Sequence, residues 1–262
     1  MTSLINVSNE QFAQAFTKPS EWFSQFGEAW ECGPDKELLV HQDNGKRLLV
    51  VAHLDTVTPY YAPPTKGLKL KRPKWAKKAK TQEQAIAVAA KQKDKLAKSL
   101  TGPVVDDRLG CALALGVSGW ADVLWTDGEE KGRSTARYFD APREYNFIIG
   151  FDRRGTDVVT YQYQDLDWLN ALKTCFNIGL GTFSDIAVLD KLGVSAMNMG
   201  IGYYEEHTMK AHWNPNDTAL QMRRLYKFLK EFGQVEFSYT AKTAKTGTGF
   251  GHYYQNEAWY SN

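Results

Sequence analysis

Five stretches of this sequence carry side chains able to hold a divalent cation or move a proton. They are His53-Leu54-Asp55, Asp106-Asp107, Glu129-Glu130, Asp152, and the segment YYEEHTMKAHWN with His207 and His212. Three of them follow apolar runs that read as strands: His53 and Asp55 after LLVVA, Glu129 and Glu130 after VLWTDG, and Asp152 after FIIGF. In a largely parallel sheet such strand ends gather along one edge. Acids and imidazoles collected there without balancing lysines repel one another and lose hydration unless a cation holds them. The chemistry this pattern points to is cation-assisted hydrolysis.

Each stretch also has a plainer reading. In an extended segment His53 and Asp55 share a face, so either could bind a cation; we prefer Asp55 as the partner that orients the His53 ring. Asp106 and Asp107 open an apolar helix, where backbone amides and the dipole favour an acid. Capping explains one of them, and a carboxylate between two cations explains the other, with Asp107 or Arg108 anchoring the loop. Adjacent Glu129 and Glu130 suit a division of labour, one as general base and one as ligand. Asp152 precedes Arg153 and Arg154, so an ion pair is its structural alternative. Spacing alone leaves His207 and His212 open as the distal ligand. His41 and His252 belong to no such constellation and read as surface or packing residues.

The elements that must position these groups come from periodicity. Phe12, Phe16, Trp22, Phe23, Phe26 and Trp30 recur at helical spacing over residues 8–30. ELLVHQ and KRLLVVAHLD read as two strands joined by a turn at Asn44 and Gly45. Downstream, LGCALALGVSGW (helix), ADVLWT (strand), RSTARYF (helix), YNFIIGFD and DVVTYQY (strands), LDWLNALKTCF and SDIAVLDKL (helices) and VSAMNMGIG (strand) follow in order. A closing helix near Asn216 shows Leu220, Leu225, Phe228, Leu229 and Phe232 as its stripe. This alternation predicts an α/β fold, three αβα layers around a mixed, mostly parallel sheet. The segment from Tyr239 to Asn262 reads as an irregular tail or edge.

With 262 residues, 43% hydrophobic and 24% charged, one catalytic domain over 1–262 is the simplest count. No apolar run is long enough to span a membrane, and the polar start predicts a cytoplasmic address. Cys32, Cys111 and Cys175 are too few and too scattered for a disulfide framework. The net charge of +2 is uneven: residues 60–100 hold twelve Lys or Arg against Glu83 and Asp94, a local +10 that leaves −8 for the rest. This stretch, helical from Thr81 to Leu100 by its Ala, Gln and Lys content, reads as a Lys-rich solvated insertion within the domain.

The motifs VAHLDTV, VVDDRLG, LWTDGEEKG, IIGFDRRG, GTFSDIAVL and GIGYYEEHT together resemble, in sequence and order, the dizinc exopeptidase superfamily that includes leucyl aminopeptidases, peptidase T and glutamate carboxypeptidase. The resemblance spans residues 47–215. It implies a zinc-exopeptidase fold and two Zn2+ ions, with Co2+ or Mn2+ as alternatives. By that resemblance His53 and Asp152 hold one ion, Glu130 and His207 the other, Asp106 bridges them, Glu129 is the base, and Asp55 orients His53. His207 is preferred to His212 because YYEEHT looks like the family's distal-histidine segment. Only 54 residues separate Asp152 from His207 and 52 separate His53 from Asp106, so the lid domains of the larger branches are absent and the resemblance implies a minimal, lidless enzyme.

The expected reaction is removal of an N-terminal residue from a short peptide, with Tyr203 or Tyr204 near the developing oxyanion. The alternative is a carboxypeptidase or N-acyl amino-acid hydrolase in which Arg153 or Arg154 grips a carboxylate. From another class comes a catalytically silent protein that docks an anionic partner, nucleic acid included, through residues 66–98.

Overall fold

A computed structural model of the chain describes residues 4–56 and 100–240. Nearly all of the Lys-rich insertion, the end of the Tyr239 to Asn262 segment, His252 and the Asp107 side chain lie outside the described residues. Nine strands and four α-helices are described in chain order. The strands are β1 (Glu28–Cys32), β2 (Glu37–Gln42), β3 (Leu48–His53), β4 (Asp122–Thr126), β5 (Phe147–Arg153), β6 (Val158–Val159), β7 (Ala196–Gly200), β8 (Tyr203–Tyr204) and β9 (His212–Trp213). The helices are α1 (Asn9–Thr17), α2 (Val104–Ala114), α3 (Leu166–Lys173) and α4 (Pro215–Phe232).

Seven strands form one mixed sheet in the order β1-β2-β4-β3-β5-β7-β6. The four in its middle, β4, β3, β5 and β7, run parallel. Every residue of β3, β4 and β7 is buried, which is why these segments read as continuous apolar runs: a central parallel strand is covered on both faces. Their carboxyl ends, at His53, Thr126, Arg153 and Gly200, fall along one edge.

The register places the covering layers. Val51 pairs with Gly150, so Ala52 and Gly150 point to opposite faces. A Cβ on Gly110 of α2 would lie 3.5 Å from the Ala52 methyl, whereas one on Gly150 would meet Ile186 of the 3-10 turn Asp185–Val188. The sheet is therefore sandwiched between α2 and that turn. Gly110 sits so close that a Cβ there would be 1.9 Å from the Phe151 carbonyl oxygen. Only a residue with no side chain lets α2 approach β5 this closely. Toward the strands' amino ends, Phe147, Trp168, Phe228 and Phe237 pack as an aromatic cluster with centroids 4.9–6.0 Å apart. Full burial of one such ring contributes roughly 2–3 kcal/mol.

Several local expectations are corrected. Strands β2 and β3 do not form a hairpin: β4 lies between them, antiparallel to β2 and parallel to β3. Gly45 alone takes the left-handed angle, φ 68°, while Asn44 binds the start of β4 through Asp122 and the Ala121 carbonyl. The hairpin is β1-β2, around Gly33 and Lys36. Trp30 lies on exposed β1, not on a helix. RSTARYF makes the 3-10 turn Thr135–Tyr138, SDIAVLDKL two such turns, and DVVTYQY only the two-residue β6. Residues 153–206 are spent on β6, α3, the 3-10 turns and β7, so among the described residues no lid separates Asp152 from His207.

Candidate metal centre at the strand ends

His53 ends β3, buried to 2% exposure. Its Nε2 lies 2.9 Å from Asp152 Oδ1 on neighbouring β5, and its Nδ1 lies 3.1 Å from the Asp55 carbonyl and 3.5 Å from the Asp55 carboxylate. The main partners of the Asp55 carboxylate are elsewhere: its two oxygens accept the Glu129 and Glu130 backbone N–H groups at 3.2 and 3.1 Å. Asp55 thus ties the end of β3 to the turn that follows β4. That turn, Glu129–Lys131, is bracketed by Gly128 (φ 77°) and Gly132 (φ 65°), left-handed angles that glycine adopts without strain.

Asp106 occupies the first turn of α2, whose N-cap residue Pro103 has no side chain able to cap. Above it stands the β8-β9 ribbon, held at the start of α2 by the Gly102 N–H on the Ala211 carbonyl at 2.8 Å. The ribbon's loop carries His207, whose Nε2 lies 3.3 Å from Asp106 Oδ2 and 3.3 Å from Glu130 Oε2. Both His207 and Glu205 have φ 58°, an uncommon backbone state outside glycine that marks a constrained loop.

Two groups have donor atoms within 4.8 Å of one another: His53 with Glu129 and Glu130, and Asp106 with Glu130 and His207. Four of the five ligands expected from the sequence fall in these two groups, and the fifth, Asp152, is in neither but lies 2.9 Å from His53. His212 is in neither. It is exposed, stacked on Tyr204 and hydrogen-bonded to the Lys210 carbonyl. His41 is a packing residue, buried against Phe139.

The electrostatics are those of a site short of positive charge. Burial, then the charge of Asp152, pushes Asp106 up to about 7 and Glu129 up to about 10. Burial alone would lower the pKa of His53, but Asp152 and Asp55 outweigh it and hold the ring well above its usual value. The Glu130 hydrogen bond and the surrounding acids bring His207 up to about 9. Asp106 Oδ2 is buried with no hydrogen-bond partner among the described residues, although His207 Nε2 stands 3.3 Å away.

Nearby cations are committed elsewhere. Lys131 and Arg133 pair with Glu37, and Arg133 also with Asp35. Arg153 grips Asp157 with two hydrogen bonds of 2.7 Å, and Arg154 pairs with Glu206. Arg108 lies over the Phe23 ring and on Ser20 rather than on an acid. The tyrosines are engaged too: Tyr203 hydrogen-bonds Asp106, and the Tyr204 hydroxyl donates to Asp217 at 2.7 Å. Beside the centre, Arg154 and residues 205–210 line an open cavity of ≈ 660 Å³.

These residues fit a bound divalent cation. Imidazole and carboxylate donors suit Zn2+, Co2+ or Mn2+, and the buried Asp106 Oδ2 has no hydrogen-bond partner among the described residues beyond the 3.3 Å approach of His207.

Four supporting residues escaped the sequence reading. Ser184 Oγ donates to Asp152 Oδ2 at 3.2 Å. Asn198 holds the Asp152 backbone, accepting from its N–H at 3.2 Å and donating to its carbonyl at 2.9 Å. Thr126 Oγ1 donates to Asp185 at 2.6 Å. Asp185 is fully buried, and burial pushes its pKa up to about 7. Asn198 left a signal as an amide inside the apolar run AMNMG, and Ser184 and Asp185 lie in the motif GTFSDIAVL without having been given a role.

The sequence matches no family model and no curated relative. Solved structures of similar fold include a tripeptidase from Staphylococcus aureus, 11% identical, covering 87% of this chain and 98% of that one with a TM-score of 0.49. The aminopeptidase PepT from Bacillus cereus is also 11% identical, over 88% of this chain and 100% of its own, TM-score 0.48. The TET1 peptidase of Pyrococcus horikoshii is 16% identical, over 83% and 98%, TM-score 0.44.

Proposed function

We propose that this chain is a peptide hydrolase that works with two divalent cations, and specifically an aminopeptidase acting on short peptides. The observation that carries the reading is the buried oxygen of Asp106, which has no hydrogen-bond partner among the described residues and lies 3.3 Å from His207 beside Glu130, in a site whose neighbouring Lys131, Arg133, Arg153 and Arg154 are turned to other acids and whose Arg108 lies on Phe23 and Ser20. Asp106 would lie between the ions, with His53 and Asp152 holding one, Glu130 and His207 the other. Bound there, such ions polarise a peptide carbonyl and make water acidic enough to attack at neutral pH.

The chain's own residues supply the rest. Glu129, half-buried beside His53, takes the proton of the attacking water and returns it to the departing amine. Asp55 fixes Glu129 and Glu130 through their backbone amides, so base and ligand keep one spacing. The mouth carries Glu205, a carboxylate that a free amine could meet, beside the Arg154–Glu206 pair and Lys210. A C-terminal carboxylate would need a cation, and Arg153 is already doubly bonded to Asp157, which favours the aminopeptidase over the carboxypeptidase reading. No described helix is long and apolar enough to cross a membrane.

The test is metal content and hydrolysis measured together on short peptides with free and with acylated N-termini, for wild type and Glu129→Gln. We expect two ions in both proteins, cleavage of free-amine peptides only, and a loss of at least about 100-fold in the variant, because the proton carrier is gone. An undiminished variant removes Glu129 from its role, and preference for acylated peptides moves the assignment to the amidohydrolase.

A further inference from the structure

The dipeptide Ser184-Asp185 touches two strand ends at once. Ser184 Oγ holds the carboxylate of Asp152, at the end of β5, at 3.2 Å. Asp185 Oδ2 takes the hydroxyl of Thr126, the last residue of β4, at 2.6 Å. Thr126 in turn is bound to β3: its carbonyl accepts the Leu54 N–H at 2.6 Å, and its hydroxyl lies 3.3 Å from the Ala52 carbonyl. Three residues beyond Thr126 the chain reaches Glu129 and Glu130. The arm bearing these two acids and the strand bearing Asp152 are thus fastened to one 3-10 turn.

Nothing in the hydrolysis itself uses Asp185. It is 2% exposed, and its carboxylate takes side-chain hydrogen bonds from Ser134 and from Thr126, the latter at 2.6 Å on a strand end. Burying a carboxylate to receive two hydroxyls is a costly way to fill a core. We propose that Asp185, with Ser184, is a positioning residue for the centre: it fixes the Glu129-Glu130 arm at a set distance from Asp152, so that the donors of both cation sites keep their mutual spacing. The proposal rests on the assignment of a cation centre here, and its test separates the two.

The probes are Zn2+ titrated by calorimetry into cation-stripped protein, and kcat and KM on a short free-amine peptide. Asp185→Leu removes the acceptor at similar volume, Asp185→Asn keeps one, and Thr126→Val removes the donor while leaving the carboxylate in place. We expect Asp185→Leu and Thr126→Val each to weaken Zn2+ binding about 10- to 100-fold, as losses of supporting hydrogen bonds to metal ligands do. We expect kcat to fall further than KM rises, Asp185→Asn to recover most of both, and the double variant to be no worse than either single one. Wild-type Zn2+ affinity in Thr126→Val, or Asp185→Asn as defective as Asp185→Leu, overturns the proposal; Thr126→Val decides it even if Asp185→Leu does not fold. Zn2+ bound by the wild type without peptide cleavage defeats the peptidase reading and leaves positioning to be judged by the isotherms. A wild type that binds no Zn2+ defeats both.

Discussion

Strand β4 has a buried acidic centre at each end, and the two are built on opposite terms. At its start Asp122, fully buried, receives the Arg143 guanidinium, the Tyr145 hydroxyl at 3.0 Å, and the Asn44 and Lys46 amides at 2.8 and 3.0 Å. Beyond its end, Asp106 keeps an oxygen with no hydrogen-bond partner among the described residues, and burial with Asp152 nearby raises Glu129 and Asp106. The same protein can satisfy a buried carboxylate when structure is all that is wanted. Leaving one incomplete a strand's length away marks where a cation from outside is expected.

The largest expected contrast comes from removing one acid from the incomplete centre. Asp106→Asn should abolish paired cation binding and reduce hydrolysis by roughly 1000-fold or more. Without cations the same variant should be the more stable protein at pH 8. The sign follows from the raised pKa: folded Asp106 holds its proton up to about 7, the unfolded chain only to about 4. Stability of the cation-free wild type therefore falls as pH rises between those values, and the variant lacks that slope. Melting temperatures in chelator at pH 5 and pH 8 test this, and a wild type unaffected by pH breaks the contrast.

At the satisfied end the effect runs the other way. Arg143→Met strands the Asp122 charge and should cost about 3 kcal/mol of stability, read by denaturant titration, with cation affinity unchanged. A smaller effect sharpens the picture of the incomplete centre. Cations compete there with the protons of Asp106, Glu129 and His207, all raised, so Zn2+ affinity should climb from pH 6 to pH 8 with proton release in calorimetry. Smallest of all, Arg47→Ala, which breaks the exposed pair with Glu236, should change stability by less than about 1 kcal/mol.

Much of the centre was legible because its ligands sit where apolar runs stop, and a parallel sheet turns separate stops into one place. The α/β alternation and the closing helix α4 were legible for a related reason, since each central strand is mostly apolar and α4 is striped. Strand partners were not. Whether β2 pairs with β3 or with β4 depends on contacts such as Val40 with Trp125, more than 80 residues apart, and nothing local in ELLVHQ distinguishes them. The pairing of Arg154 was invisible too, because Glu206 becomes its partner only once the chain folds, whereas Asp157 stands only four residues from Arg153 and was overlooked. Ser184 and Asp185 read as the start of a helix; their grip on two strands is a property of the assembled edge.

Gly110 is no member of the candidate centre, yet the two halves of that centre depend on it. Asp106 rides on α2 and Asp152 on β5, and a single methyl at position 110 would drive those two bodies apart against the Phe151 carbonyl. The gap between two reactive acids is set here by an atom that is missing, so random variation in search of new activities would find this silent position closed.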